Sequence, residues 1–109
     1  MQLTVTVYRL TKNFPRDELY GLTSQIRRAA VSLPSNIAEG HGRLNSGEFK
    51  QFLGIARGSN AELQTQLEIA RALEMGDPKL LNEAEGLSRE VGKMLYATLK
   101  SLKTRVEMN

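Results

Sequence analysis

The chain's one histidine, His41, stands between Gly40 and Gly42 with Glu39 two residues upstream. Histidine is the side chain best suited to move a proton near neutral pH, but it needs a partner that orients it. None stands at a defined spacing here, and a loop residue on the surface is the simpler reading. Gly40-x-Gly42 follows helical sequence instead of a strand, so the phosphate-loop reading fails. Ser32, Ser35 and Ser59 carry no motif of a nucleophile. A metal would need oxygens from Glu39 and Glu62, whose spacing specifies none. With no cysteine, neither a thiolate site nor a disulfide is available. The expectation is a protein that is not an enzyme and uses no cofactor or metal. A small hydrolase built on Glu39, Glu62 and His41 is the weakest alternative.

Regularly spaced polar residues are the stronger signal. In SQIRRAAVSLPSNIAEGHGR, residues 24–43, the side chains of Gln25, Arg28, Ser32, Asn36, Glu39 and Arg43 fall within an arc of roughly 80° at the helical period. Ser59, Glu62 and Gln66 flank the core of the next helix in the same way. If the two stripes face each other they form a polar network or an interface, with Arg28 paired to Glu62, because a half-buried charge needs a hydrogen-bonded partner. A plain wet surface is the alternative, and the pattern leaves both open.

Two further stripes lie away from the expected core. Gly54, Gly58, Ala61 and Thr65, with Ala72, share an arc of roughly 60°. Glycine there costs about 1 kcal/mol relative to alanine, and small residues let another backbone approach, as in small-xxx-small contacts. This face reads as packing against a second subunit, against the alternative of two glycines tolerated at a surface. Arg89, Lys93, Tyr96, Lys100 and Lys103 form a cationic stripe with one aromatic, suited to a phosphate backbone or serving only as a solvated flank.

The elements that must carry these stripes are helices. Leu3, Val7, Leu10 and Phe14 recur at helical spacing, although Leu3, Val5 and Val7 also alternate as in a strand. Pro15 ends this short first helix. A second helix over residues 17–43 has Leu19, Leu22, Ile26, Ala29, Ala30, Leu33 and Ile37 on one face, with a kink expected near Pro34. Asn45 with Glu48 has the pattern of a capping box. It opens a third helix, running to Met75, with Phe49, Phe52, Leu53, Ala56, Leu63, Leu67 and Ala70 inward. Gly76 marks its end, and Asp77-Pro78 starts a fourth. That helix runs to Thr104 and buries Leu80, Ala84, Leu87, Val91, Met94, Leu95, Thr98 and Leu102. Short connections imply an all-α, antiparallel up-down-up-down four-helix bundle, a single domain over residues 1–109.

A formal charge of +3 and an isoelectric point near 9.4 permit nucleic acid as a partner without requiring it. No apolar run is long enough for a membrane span, and the start lacks the pattern of a signal peptide, so a soluble, cytoplasmic protein is expected.

The segments FPRDELYGLTSQIRRAAVSLPSNIAEGHGR and EFKQFLGIARGSNAELQTQLEIA closely resemble the bacterial four-helix-bundle family encoded by intervening sequences within 23S rRNA genes, also labelled S23 ribosomal protein. The likeness covers roughly residues 7–104. It implies an antiparallel bundle that assembles as a homopentameric ring and has no enzymatic activity. The related accessory protein of diversity-generating retroelements is basic and binds nucleic acid and a reverse transcriptase. Ser24, Gln25, Arg27, Arg28, Ser32, Asn36, Glu39, Gly40, Ser59, Glu62 and Gln66 match the family's motif positions. Two stretches depart from it. The first helix is shorter than is usual, which leaves part of the groove between the second and fourth helices uncovered, and LEMGDPKL replaces a more hydrophobic turn. The function expected is a homopentameric module that binds RNA or DNA and serves as a scaffold for another protein. The alternative is a protein-interaction ring without nucleic-acid affinity.

Overall fold

Four helices account for nearly all of the chain in the computed structural model, which describes residues 1–108, with side chains described as far as Lys103. They are α1 (Gln2–Thr11), α2 (Leu22–His41), α3 (Ser46–Ala72) and α4 (Pro78–Met108), with a 3-10 turn at Arg16–Glu18 before α2. No strand occurs among the described residues.

Local chemistry explains where most of them begin. Asn45 Oδ1 accepts from the Glu48 amide at 2.8 Å, as the sequence predicts, and Asp77 Oδ1 accepts from the Lys79 amide at 2.9 Å. Glu18 accepts from the Leu22 amide at 3.3 Å and opens α2. The predicted start of α2 at residue 17 is therefore too early. Pro15 is followed by the 3-10 turn, and Leu19, expected in the core, is exposed. Between α3 and α4, Gly76 has φ +83°. A Cβ there would also lie 2.6 Å from Leu10 Cδ1 and 2.8 Å from Phe14 Cε1, so α1 packs where only glycine fits.

Pro34 stands inside α2, which continues to His41. Proline has no N–H to give to the carbonyl four residues back, that of Ala30. The missing donor comes from another helix. Thr4 Oγ1 of α1 donates to the Ala30 carbonyl at 2.7 Å.

The helices touch in a ring: α1 with α2 and α4, α2 with α3, and α3 with α4, while α2 and α4 do not meet. Leu3, Val7 and Leu10 of α1 are fully buried against Ile26, Ala30 and Leu33 of α2, Leu53, Ala56, Leu63 and Leu67 of α3, and Leu81 and Ala84 of α4. The molecule is long, with extents of 52 × 21 × 18 Å. α1 covers only part of that length. Its polar contacts reach Ala30 on α2 and Glu83 on α4, the latter from Gln2 and Thr6. The uncovered stretch expected between α2 and α4 is present. It corrects the predicted core of α4, where Met94 is 68 % exposed and Thr98 is exposed as well. Both lie on the flank that α1 would cover if it were longer. Leu81 and Ser88, not expected inside, are buried on the α3 side.

Candidate nucleic-acid interface and polar groove

The two polar stripes of α2 and α3 meet at one point. Ser32 Oγ and Ser59 Oγ are 2.9 Å apart across the helices, and Asn36 Nδ2 donates to the Ser32 carbonyl at 2.8 Å and to its hydroxyl at 3.0 Å. These residues are half-buried. Farther along α3, Gln66 Nε2 donates to Glu62 Oε1 at 3.2 Å, a link within one helix. The predicted pairing of Arg28 with Glu62 is not formed. Both side chains are exposed and stay solvated, which removes the electrostatic need for a partner. Glu39 instead pairs with Arg43 on its own helix at 3.3 Å, and Gln25 is exposed.

Arg28, Ser32, Ser59 and Glu62 line an open groove of about 690 Å³, together with Ser24, Arg27 and Tyr8. Arg27 links it to α1. Its Nε donates to Thr11 Oγ1 at 2.8 Å, and its guanidinium carbon lies 4.9 Å from the centre of the Tyr8 ring.

A tighter polar pair escaped the sequence reading. Asn60 Nδ2 donates to the Ser88 carbonyl at 3.0 Å, and Ser88 Oγ donates back to Asn60 Oδ1 at 2.8 Å, both residues being buried between α3 and α4. Gly92 makes room for it, since a Cβ there would lie 3.1 Å from Asn60 Nδ2. The available signal was positional: Asn60 falls four residues after Ala56 and three before Leu63, on the apolar face of α3.

The cationic residues are arranged by position along the bundle. Lys93, Tyr96, Lys100 and Lys103 are exposed on α4, and Arg57 of α3 sets its guanidinium 5.8 Å from the Tyr96 ring centre. Lys50 is exposed on the same helix. Residues 49–61 and 91–103 thus hold five cations and not one Asp or Glu. Toward the opposite end, residues 62–90 hold six glutamates and Asp77 against three cations. Arg89, predicted in the cationic stripe, falls in this acidic part and lines a small cleft with Glu68 and Glu85.

On the outer face of α3 nothing fills the space beside Gly54 and Gly58 within 4 Å of a built Cβ. Ala61 and Thr65 are exposed too, next to the exposed Ile55, Ile69 and Leu73. Among the described residues nothing packs against Gly54 or Gly58 that would require this face to be small. Among the described residues no three acidic or histidine side chains converge to hold a metal ion, and no helix is long and apolar enough to cross a membrane.

A family model described as 23S rRNA-intervening sequence protein matches residues 1–97. No curated protein matches the chain.

Proposed function

The chain belongs to the 23S rRNA-intervening sequence protein family, and we propose that it is a non-enzymatic, homo-oligomeric bundle that binds RNA or DNA in the cytoplasm. The observation that carries the reading is the pair of stretches 49–61 on α3 and 91–103 on α4, which hold Lys50, Arg57, Lys93, Lys100 and Lys103 without a carboxylate and set Arg57 over the Tyr96 ring. A surface of one sign without internal carboxylates attracts phosphates along a strand, and the exposed aromatic offers an edge on which a base can stack. The helices run up-down-up-down and antiparallel, a reading supported by the cross-helix partners: Arg27 with Thr11, Thr4 with Ala30, Ser32 with Ser59, and Asn60 with Ser88. A bend of α2 at Pro34 belongs to the same reading.

Assembly into a closed pentamer uses the outer face of α3, on which Gly54, Gly58, Ala61 and Thr65 stand open. A ring is the form in which a head-to-tail contact closes instead of growing into a filament. It also repeats the cationic patch, so that weak contacts on each subunit add through effective concentration. The protein-interaction ring without nucleic-acid affinity is kept as the second reading, because the exposed Ile55, Ile69 and Leu73 suit a protein partner better than a phosphate chain.

Fluorescence anisotropy with a labelled single-stranded RNA and its DNA counterpart tests the first reading. Five phosphate contacts on a single strand give a log–log salt slope of roughly −3.5 between about 50 and about 200 mM salt. Changing Lys93, Lys100 and Lys103 together to Glu abolishes binding with helicity intact. Unaltered binding by that variant would move the site away from α4, and no binding by the parent at low salt would leave the protein-interaction ring.

A further inference from the structure

The groove that runs over α2 contains a seat for an anion, and we propose that it binds a small sugar phosphate, a phosphate monoester with free hydroxyls, through Ser24, Arg27 and Arg28. The inference uses none of the cationic residues of α3 and α4. It stands or falls separately from nucleic-acid binding.

Spacing is the first ground. Arg27 and Arg28 follow Ser24 by three and four residues on α2, so both are its neighbours on the helix surface, at about 5–6 Å between Cβ atoms. All three line the groove, which Tyr8 of α1 flanks on one side and Ser59 and Glu62 of α3 on the other. Its volume of about 690 Å³ is that of a site for a small molecule.

Unmet charge is the second ground. Arg27 is half-buried, a position in which a guanidinium ordinarily requires a carboxylate. What it has instead is a neutral hydroxyl and a ring: Nε donates to Thr11 Oγ1 at 2.8 Å, and the guanidinium carbon lies 4.9 Å from the Tyr8 ring centre. These contacts fix the fork without neutralising it, and its terminal nitrogens keep their donors. Neither Arg28 nor the half-buried Ser24 hydroxyl has a hydrogen-bond or ion-pair partner among the described residues. Two guanidinium groups and a hydroxyl on one turn, none of them answered by a carboxylate, match the oxygens of a phosphate.

The rest of the groove selects what that phosphate is attached to. Gln66 Nε2 donates to Glu62 Oε1 at 3.2 Å and holds this carboxylate at the α3 edge. A carboxylate there repels a second phosphate and accepts from a hydroxyl. The Ser32 and Ser59 hydroxyls, 2.9 Å apart, extend the same polar edge. Ala29 and Val31 also line the groove and give it an apolar patch for the carbon face of a sugar ring. The ligand is therefore charged at one end and hydroxylated at the other.

The probe is ribose 5-phosphate, titrated into isotopically labelled protein while the arginine Nε–H resonances are followed by NMR. Saturable shifts are expected at Arg27 and Arg28, with none at Arg71. Arg28→Ala, at an exposed position, should weaken binding at least about tenfold with Tm and helicity kept, the loss expected of a charge-assisted hydrogen bond. Ser24→Ala should weaken it less, and Lys79→Ala, which removes the same charge elsewhere, should leave it as it was. Fructose 6-phosphate should bind more tightly than fructose 1,6-bisphosphate, and Glu62→Gln should narrow that preference by removing the repulsion. Equal affinity of parent and Arg28→Ala, equal shifts from ribose without phosphate, or inorganic phosphate binding as tightly as the ester overturns the proposal. So does a titration in which ribose 5-phosphate shifts neither arginine while an oligonucleotide with a terminal phosphate shifts both, which would assign the groove to the end of a strand.

Discussion

The two ends of the bundle solve the same packing problem differently. At the end held by α1, four helices close around Leu3, Val7, Leu10, Ile26 and Leu67, all fully buried, and the outer faces of α3 and α4 carry mixed and mainly acidic charge. At the other end only α2, α3 and α4 remain, Phe49, Leu99 and Leu102 are half-buried, and residues 49–61 of α3 and 91–103 of α4 carry cations and no carboxylate. Burial is concentrated where the surface is ordinary, and the distinctive surface lies where burial is incomplete. The difference teaches that stability and recognition are assigned to separate lengths of the same helices, so each can be altered with little effect on the other.

The sharpest test of that division is truncation of the core. Leu10→Ala or Leu63→Ala should cost about 3 kcal/mol in urea unfolding, within the usual range for a fully buried leucine. Met94→Ala at the open end should cost under about 1 kcal/mol, since little packing is lost. Equal losses would erase the distinction between the ends. A smaller contrast concerns the two polar clusters. Asn60→Ala leaves the Ser88 hydroxyl buried without its Asn60 partner and should cost about 1–3 kcal/mol. Ser32→Ala, in the half-buried cluster beside the groove, should cost under about 1 kcal/mol because water can replace the lost bond. The smallest effect is expected at Arg28 and Glu62. Each alanine variant should change stability by under about 0.5 kcal/mol and the double-mutant cycle should be additive, as for separate exposed charges. A coupling above about 1 kcal/mol would restore the ion pair that the sequence suggests.

Features decided within one or two turns of chain were legible from residues alone. The spacing of Leu3, Val7 and Leu10, the Asn45 cap and the Asp77-Pro78 start all act locally, and each lies where the sequence places it; α3, expected to run to Met75 and end at Gly76, instead stops at Ala72, where the Met75 amide donates to the Ala70 carbonyl and Glu74 takes the left-handed φ of +55°. What depends on how far one helix slides along another was not legible. Met94 and Thr98 carry the correct period for a core, but periodicity records which flank of α4 is apolar and says nothing about where α1 stops covering it. For the same reason Arg57 was not placed beside Tyr96, nor Asn60 beside Ser88. Angular position brought Arg28 and Glu62 to the same groove, while exposure decided that they need not pair. The stripe of polar residues on α2 divides accordingly, with Ser32 joined to Ser59 across the helices and steadied by Asn36 of its own helix, and Gln25 and Glu39 left to solvent or to their own helix.

The hydroxyl of Thr4 on the Ala30 carbonyl has a consequence for the order in which the chain folds. A helix of ten residues is too short to persist alone in water, and α2 carries a gap in its own hydrogen-bond ladder at Pro34. Each therefore lacks something that only the other supplies. The Ala30 carbonyl in the middle of α2 acquires its missing donor at the moment α1 docks, which ties a local step in one helix to a tertiary step in another. Amide protons of α1 and of the turn around Ala30 should then exchange through a single opening event, as one cooperative unit, even though more than twenty residues separate them along the chain.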